Sequence, residues 1–424
     1  MDLKNKSWKG RGIMGNLNND ELLIMNTIDA EREKIHMVAK NIWDFKEVGW
    51  EEFKSSNLLM DEFEKMGFTV QRGLVGKHPA FGYDIDMPTA FKAVFKGKEG
   101  GPTIGLMLEY DALPNGHACG HNLIASAGFA AAIGLQELFK TVPGDLVVYG
   151  TPAEELDGSK HYILAGGFMD EVDLMFANHY GKDWCSEVTG KAIVWPLHDK
   201  WVTFTGKPSH ASATPHNGRS ALDAVLLTCM GLEFLREHTL ETDRIHYIIS
   251  NGGTAANSVP DKATLNVELR ANNSAELNDM MRRVDNVIKG AELMTDTKAD
   301  YKWDSPWYCA TPVPSFYKAA SSFAPDLGLD ESRFTFGNMP QASSDLGCVA
   351  YKIPTIEITF PIVKDDEIVP VGHSNELAAI SGNEFPIDQS ILAGKLMALT
   401  AYRIGTNPEK LEEIKAEFKK NYKE

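Results

Sequence analysis

The feature that most restricts this chain is an order that recurs along it: a short apolar run, a segment that reads as a helix, then another short apolar run. Residues 103–108, 145–149, 173–177 and 355–360 are apolar over most of their length and interrupted by turn formers, as buried strands are. Between the first two runs, residues 122–139 carry Ala, Leu and Ile without a Pro, which suits a crossover helix. Strand, helix, strand in that order implies parallel pairing, because a parallel neighbour needs a long connection across the face of the sheet. The expected class is therefore α/β, a mixed and largely parallel sheet with helices on both faces.

A chain of 424 residues exceeds what one hydrophobic core usually serves, so a second domain or a large insertion is expected. The middle reads as that insertion. Residues 201–205 and 263–268 alternate, 220–235 and 274–293 have helical spacing, and 245–249 is a further apolar strand. Two strand-and-helix pairs of this kind point to a small α/β sandwich over 190–305, with 1–189 and 306–424 as the two parts of the larger domain. Residues 19–68 read as two helices with a break around Gly49, and 407–424 as a charged, solvated terminal helix.

Composition removes several classes of function. With 43% hydrophobic and 24% charged residues, global disorder is excluded. Against 59 Asp and Glu stand 42 Lys and Arg, and the net charge of -17 repels phosphate backbones and anionic lipid, so neither nucleic acid nor a membrane is expected as partner. Residues 1–20 lack the apolar core of a signal peptide, and no window approaches about 18 uninterrupted apolar residues, which points to a cytoplasmic protein. The five cysteines are scattered and odd in number, as reduced thiols are; Cys185, Cys229, Cys309 and Cys348 read as packing residues.

Cys119 reads differently. It stands in Gly116-His117-Ala118-Cys119-Gly120-His121-Asn122, directly after the first strand, and three other polar clusters follow strands in the same way: Thr151-Pro152-Ala153-Glu154-Glu155, Asn178-His179-Tyr180 and Gly372-His373-Ser374. Ligands of open α/β sheets bind beyond the carboxyl ends of the strands, so these clusters are expected to converge. Thiolate, imidazole and carboxylate together suit zinc, and imidazole with carboxylate also suits manganese or cobalt. Five such residues exceed the three protein ligands of one catalytic zinc, so two ions sharing a ligand is the simpler solution. A nucleophilic or merely buried cysteine is the competing reading of Cys119; the Cys-x-His spacing leaves no separate general-base His, which favours the ligand. Adjacent Glu154 and Glu155 repel unless one binds metal and the other takes a proton from water.

These motifs, with Glu109-Tyr110-Asp111-Ala112-Leu113-Pro114, Gly206-Lys207-Pro208-Ser209-His210-Ala211 and Gly252-Gly253-Thr254-Ala255-Ala256-Asn257, resemble the two-metal family of aminoacylases, carboxypeptidase G and bacterial amidohydrolases, the amidohydrolase branch of peptidase family M20. Aminobenzoyl-glutamate hydrolases and N-acyl-amino-acid or dipeptide amidohydrolases are the nearest in kind. The likeness covers nearly the whole chain, beginning at Ile42-Trp43-Asp44-Phe45 and ending past His373. It implies a zinc-exopeptidase-like sheet and two divalent ions per subunit, zinc or manganese with cobalt as a further candidate, held by Cys119, His121, Glu155, His179 and His373. Glu154 looks like the general base and Asp111 like the carboxylate that orients a ligand. His210 and Asn257 fall in the insertion, which in this family forms a homodimer contact and bends over the substrate; His210 would help hold the oxyanion and Asn257 the substrate.

The resemblance implies cleavage of a C–N amide bond in a small molecule, an N-acyl amino acid, a dipeptide or an aminobenzoyl-glutamate-like substrate. Two rivals are weighed beside it. A hydrolytic deaminase of an aromatic amine, like 5-nitroanthranilate aminohydrolase, would release ammonia in place of an amino acid; a non-catalytic dimeric metal-binding scaffold would have no use for an unliganded base. One departure stands out: where the family often has a Gly-rich run after the paired Glu, this chain has Leu156-Asp157-Gly158-Ser159-Lys160-His161. The subsite beside the metals is expected to differ there. His117 and His161 lie near the site without an assigned role, whereas His36, His78, His198, His216, His238 and His246 read as surface or structural residues. Trp184, Trp195, Trp201, Trp303 and Trp307 gather in or beside the insertion and read as aromatic core, with an aromatic substrate as the alternative.

Overall fold

The computed structural model describes residues 17–188, 192–194, 201–335 and 343–422. Trp195, His198 and most of the 1–20 segment lie outside the described residues. The main sheet has six strands: β1 (Thr69–Lys77), β2 (Asp84–Lys96), β3 (Lys98–Leu108), β4 (Pro143–Gly150), β5 (Leu174–Gly181) and β11 (Thr355–Pro361). Their order is β1-β2-β4-β3-β5-β11. β2 pairs antiparallel with both β1 and β4, while β4-β3-β5-β11 are parallel, so only β2 runs against the rest. All four apolar runs read from the sequence are strands of this sheet.

Alternate residues of these strands serve two cores. Ile104, Leu106 and Leu108 of β3 and Ile356, Ile358 and Phe360 of β11 pack with the helices His121–Phe139 and Glu384–Gly405. Met107, Val147, Tyr149 and Met175 belong to the second core, under the helices Lys160–Ala165 and Leu346–Lys352. Burial on both faces is why the strands read as continuous apolar runs. The helix His121–Phe139 is long and apolar enough to cross a bilayer, yet 94% of that window is buried inside the molecule.

The second sheet is built from β6 (Ala192–Val194), β7 (Val202–Thr205), β8 (Arg244–Asn251), β9 (Lys262–Ala271) and β10 (Lys298–Asp300), all antiparallel. β9 is its centre: β8 takes one edge, and β6 and β7 lie end to end along the other. The helices Ala221–Arg236 and Ser274–Thr295 cover one side, and a separate core, with Phe204, Leu232, Leu265, Val267 and Ile288, fills the space between.

Two features differ from the sequence reading. Three helices, Asn19–Ala30, Arg32–Phe45 and Phe53–Lys65, replace the two expected before residue 68, because Glu31 breaks the first segment without a Gly or Pro to mark it. The β1–β2 hairpin is an addition to the expected elements: β1 is an edge strand, mostly exposed, and lacks the apolar run that identifies its neighbours.

Candidate metal centre

Because β3, β4, β5 and β11 are parallel, their carboxyl ends share one edge, and the four polar clusters are delivered there. The Cys119 loop ends at Gly120, whose φ of 65° is left-handed and whose added Cβ would stand 3.0 Å from the Tyr180 ring, so glycine is required between Cys119 and the first residue of the helix, His121. The distant His373 loop is stitched on by its backbone: His373 N donates to the Ala118 carbonyl at 2.9 Å, and Asn115 Nδ2 donates to the His373 carbonyl at 3.0 Å. Ala153 and His373 themselves sit at φ of 59° and 65°, a conformation that non-glycine residues adopt only when their surroundings enforce it. At Ala153 the enforcing group is Glu52, fully buried, whose Oε1 accepts the Ala153 N–H at 2.8 Å and whose Oε2 accepts the Thr89 hydroxyl.

One ligand atom from each of Cys119, His121 and His179 lies within 4.8 Å of the others, and the same holds for Cys119, Glu155 and His373. Cys119 belongs to both groups. Its Sγ is 3.7 Å from His179 Nε2, and His373 Nε2 is 3.3 Å from Glu155 Oε2. Two of the ring nitrogens not directed at this centre are tied down. Nδ1 of His121 bonds Asp111 Oδ1 at 2.9 Å, and Nδ1 of His179 donates to the Tyr180 carbonyl at 2.9 Å, which leaves the Nε2 lone pair of each for a cation. Asp111 Oδ2 also accepts the Glu155 N–H at 3.0 Å, so one carboxylate orients two candidate ligands.

His121 Nε2 and Glu155 Oε1 are buried with no hydrogen-bond partner among the described residues. Buried polar atoms ordinarily find partners, and divalent cations would supply them here. The donor set of one thiolate, three imidazoles and a carboxylate fits such ions. Proton affinities agree. Burial opposes ionisation of Cys119, but the adjoining His121, His179 and His373 rings outweigh it and hold the thiol well below its usual range. Burial likewise opposes a charged His121, and Asp111 overrides it. Burial, followed by the Cys119 charge, pushes Glu155 up to about 7, and His179 is raised to about 10 by Cys119 against the effect of burial.

Glu154 stands beside this set, its Oε2 3.9 Å from His121 Nε2. Burial first, and then the charge of Glu109, raise its proton affinity well above that of an ordinary carboxyl. Behind it lies a group that sequence reasoning does not single out: Glu109, Asp345 and Lys160. Glu109 carries no signal beyond its place in the motif at the end of β3, Asp345 lies 185 residues from Lys160, and a fully buried lysine leaves no pattern in sequence.

The other candidates fall elsewhere. His210 and Asn257 are exposed on the second domain, and their segments are joined through the Ala211 N–H and the Asn257 carbonyl, 3.0 Å apart; neither residue belongs to the groups around Cys119. His117 is buried and bonds the Ile42 carbonyl at 2.8 Å, a structural tie. His161 packs against Tyr162 and Trp307 and lines a cavity of ≈ 690 Å³ that Tyr308, Cys348 and Tyr351 also line. Trp184 and Trp307 are buried, as core aromatics are.

Residues 198–293 match the family model of a peptidase dimerisation domain. The Xaa-Arg dipeptidase of Mus musculus is 31% identical over 92% of this chain and 90% of its own length. One of the two p-aminobenzoyl-glutamate hydrolase subunits of Escherichia coli is 34% identical over 73% of this chain and 67% of its own length. A dinuclear metal-binding peptidase of the M20 family from Bacillus subtilis has the same fold, with a TM-score of 0.59 at 17% identity, covering 87% of this chain and 99% of that one. The chain belongs to the M20 peptidase family and is a metallohydrolase with a six-stranded mixed sheet and a separate antiparallel dimerisation domain.

Proposed function

We propose that this protein is a dinuclear metal-dependent amidohydrolase acting on the C–N bond of a dipeptide, an N-acyl amino acid or an aminobenzoyl-glutamate-like molecule. The observation that carries the proposal is Glu154: a largely buried carboxylate with raised proton affinity, within 4.8 Å of ligand atoms of His121 and Glu155 but in neither of the two groups built on Cys119, so that it is placed beside the ions as a base. Zinc or manganese, with cobalt as a further candidate, would be held by Cys119, His121 and His179 on one side and by Cys119, Glu155 and His373 on the other. Such ions supply Lewis acidity and lower the pKa of water.

The chain's own residues do the rest. Glu154 takes the proton of the attacking water on a carboxylate oxygen and returns it to the departing nitrogen; its high proton affinity makes it a competent donor in that second step. Asp111 fixes the His121 ring, and Glu52 holds the strained turn at Ala153 that presents Glu154. The names of the relatives, a dipeptidase and an aminobenzoyl-glutamate hydrolase, favour amide substrates over aromatic amines.

A homodimer through the second domain completes this reading. Leu226, Met230 and Phe234 recur every four residues on the helix Ala221–Arg236 and are 47%, 54% and 69% exposed; Ile248, on the edge strand β8, is 61% exposed. An apolar stripe beside an edge strand is suited to burial against a second copy. His210, exposed within one chain, would then serve the partner's centre as a hydrogen-bond donor to the tetrahedral oxyanion. The test of the assignment is Glu154→Gln. Its expected outcome is full metal content by elemental analysis with turnover of a Xaa-Arg dipeptide and of aminobenzoyl-glutamate reduced by about 10²–10⁴-fold. Normal kcat in the fully metallated variant would exclude Glu154 as the base, and ammonia as the sole nitrogenous product would redirect the reading to a deaminase.

A further inference from the structure

Lys160 is the one lysine among the largest fully buried side chains of the described residues, with a relative exposure of 0%. It stands in the segment after Glu154-Glu155 where the chain departs from the Gly-rich run of its family. Its ammonium donates to Glu109 Oε1 at 2.8 Å and forms a short ion pair with Asp345, itself fully buried; its backbone N–H donates to the second oxygen of Asp345 at 2.9 Å. Gly158 makes this possible. At φ of 71° the loop presses onto Asp345 so closely that an added Cβ would lie 2.7 Å from that side chain. The departure in sequence is therefore a built feature, a loop moulded over one acid to bring a lysine between two.

A third acid completes the group. Carboxylate oxygens of Glu109, Glu154 and Asp345 lie within 4.8 Å of one another. Three buried carboxylates so close repel strongly and demand a cation; the Lys160 ammonium is that cation, covalently tethered and already in contact with two of the three. Glu109 then has one oxygen on Lys160, while its Oε2 has no hydrogen-bond partner among the described residues and lies 3.4 Å from His121 Nε2, on the side facing the metal ligands.

We propose that Lys160 is a positioning residue for catalysis: by pinning Glu109 and Asp345 it fixes the place of the Glu154 carboxylate beside the metal ligands, and Glu109 is the relay between them. This inference rests on Glu154 being the base. It assigns to Lys160, in the segment 156–161, a catalytic function beside the structural one of its buried ion pair.

Lys160→Met alone leaves Asp345 buried and unpaired, so loss of stability is expected and would not separate positioning from folding. The double variant Lys160→Met/Asp345→Leu removes that buried pair together, leaves Glu109 as the one acid that loses its cation, and is expected to fold as a dimeric, fully metallated protein of intermediate stability. If positioning is the role, its kcat on a Xaa-Arg dipeptide stays at least about tenfold down, the scale of groups acting one shell away, while KM moves little. Glu109→Gln reads the same link with the Lys160–Asp345 pair intact, and a similar fall in kcat with metal retained is expected. The inference is overturned if the folded double variant, or Glu109→Gln should the double variant not fold, turns over within about threefold of the parent, and equally if Glu109→Gln loses metal, which would make Glu109 a ligand. Failure of the unaltered protein to cleave any amide substrate defeats the functional reading instead, so the two failures are distinguishable.

Discussion

The metal centre and the second domain put their functional residues in opposite settings. Around Cys119 the side chains are crowded, apart from the exposed His373 largely buried, and tied by bonds that fix their orientation: Asp111 on His121, the Tyr180 carbonyl on His179, Glu52 on the Ala153 turn. On the second domain His210 is exposed, and its Nδ1 accepts from Ser212 and Ala213 of its own loop. Under the proposed function, the contrast teaches that one chain assembles a complete ligand set but an incomplete catalytic site. The first is finished by folding, and the second awaits association.

Mixed dimers break or sharpen that contrast most directly. In a heterodimer of one Glu154→Gln chain and one His210→Ala chain, the trans arrangement leaves one centre with both residues intact. About half the activity of the unaltered dimer is expected from two variants that are each nearly inactive alone, whereas action of His210 within its own chain would leave both centres defective. Alone, His210→Ala is expected to lower kcat by about 10²–10³-fold, the scale for loss of one oxyanion donor, without loss of metal. Asp111→Asn acts on the buried side, leaving one acceptor oxygen where two now hold the His121 ring and the Glu155 N–H, so one of the two is released; metal affinity should weaken by about 10–100-fold, as measured by competition with a chelator.

A pH dependence of metal binding probes the buried region alone. With Glu155 raised to about 7 and His179 to about 10 in the metal-free centre, protons occupy ligands that ions must claim. Binding then releases protons, so metal affinity should rise as pH rises from about 6 to about 8, by up to about tenfold per unit for each proton released, and fall on acidification. Calorimetry in buffers of different ionisation enthalpy counts those protons. The smallest effect on the chain itself belongs to Phe234→Glu on the exposed stripe: chain stability should change by no more than about 0.5 kcal/mol, while sedimentation shows loss of the dimer and activity falls as it does in His210→Ala.

What can be read in the sequence divides along physical lines. The parallel strands are legible because burial on both faces makes each an uninterrupted apolar run, and the candidate ligands are legible because Cys, His and Glu gather directly after those runs. The β1–β2 hairpin is not, since an edge strand such as β1 has little apolar content to display. The break at Glu31 carries no Gly or Pro. In the centre, Glu109, Lys160 and Asp345 escape notice because their meaning lies in pairing: a Lys reads as a surface residue until the fold places it at 0% exposure between two acids. The one local hint is the missing Gly-rich run after Glu155, which marks the place without naming the partner. His210 and Asn257 come from motif resemblance alone, and under the proposed dimer their setting on the outside of one chain follows from a partner that the sequence of that chain does not spell out.

The central claim is that Cys119 is shared between two cations, one with His121 and His179 and one with Glu155 and His373. Anomalous diffraction from crystals of the zinc- or manganese-loaded protein tests it directly. The expected map shows two peaks about 3.5–4 Å apart, both within bonding distance of Cys119 Sγ. A single peak, or two peaks with Cys119 bonded to neither, would contradict it.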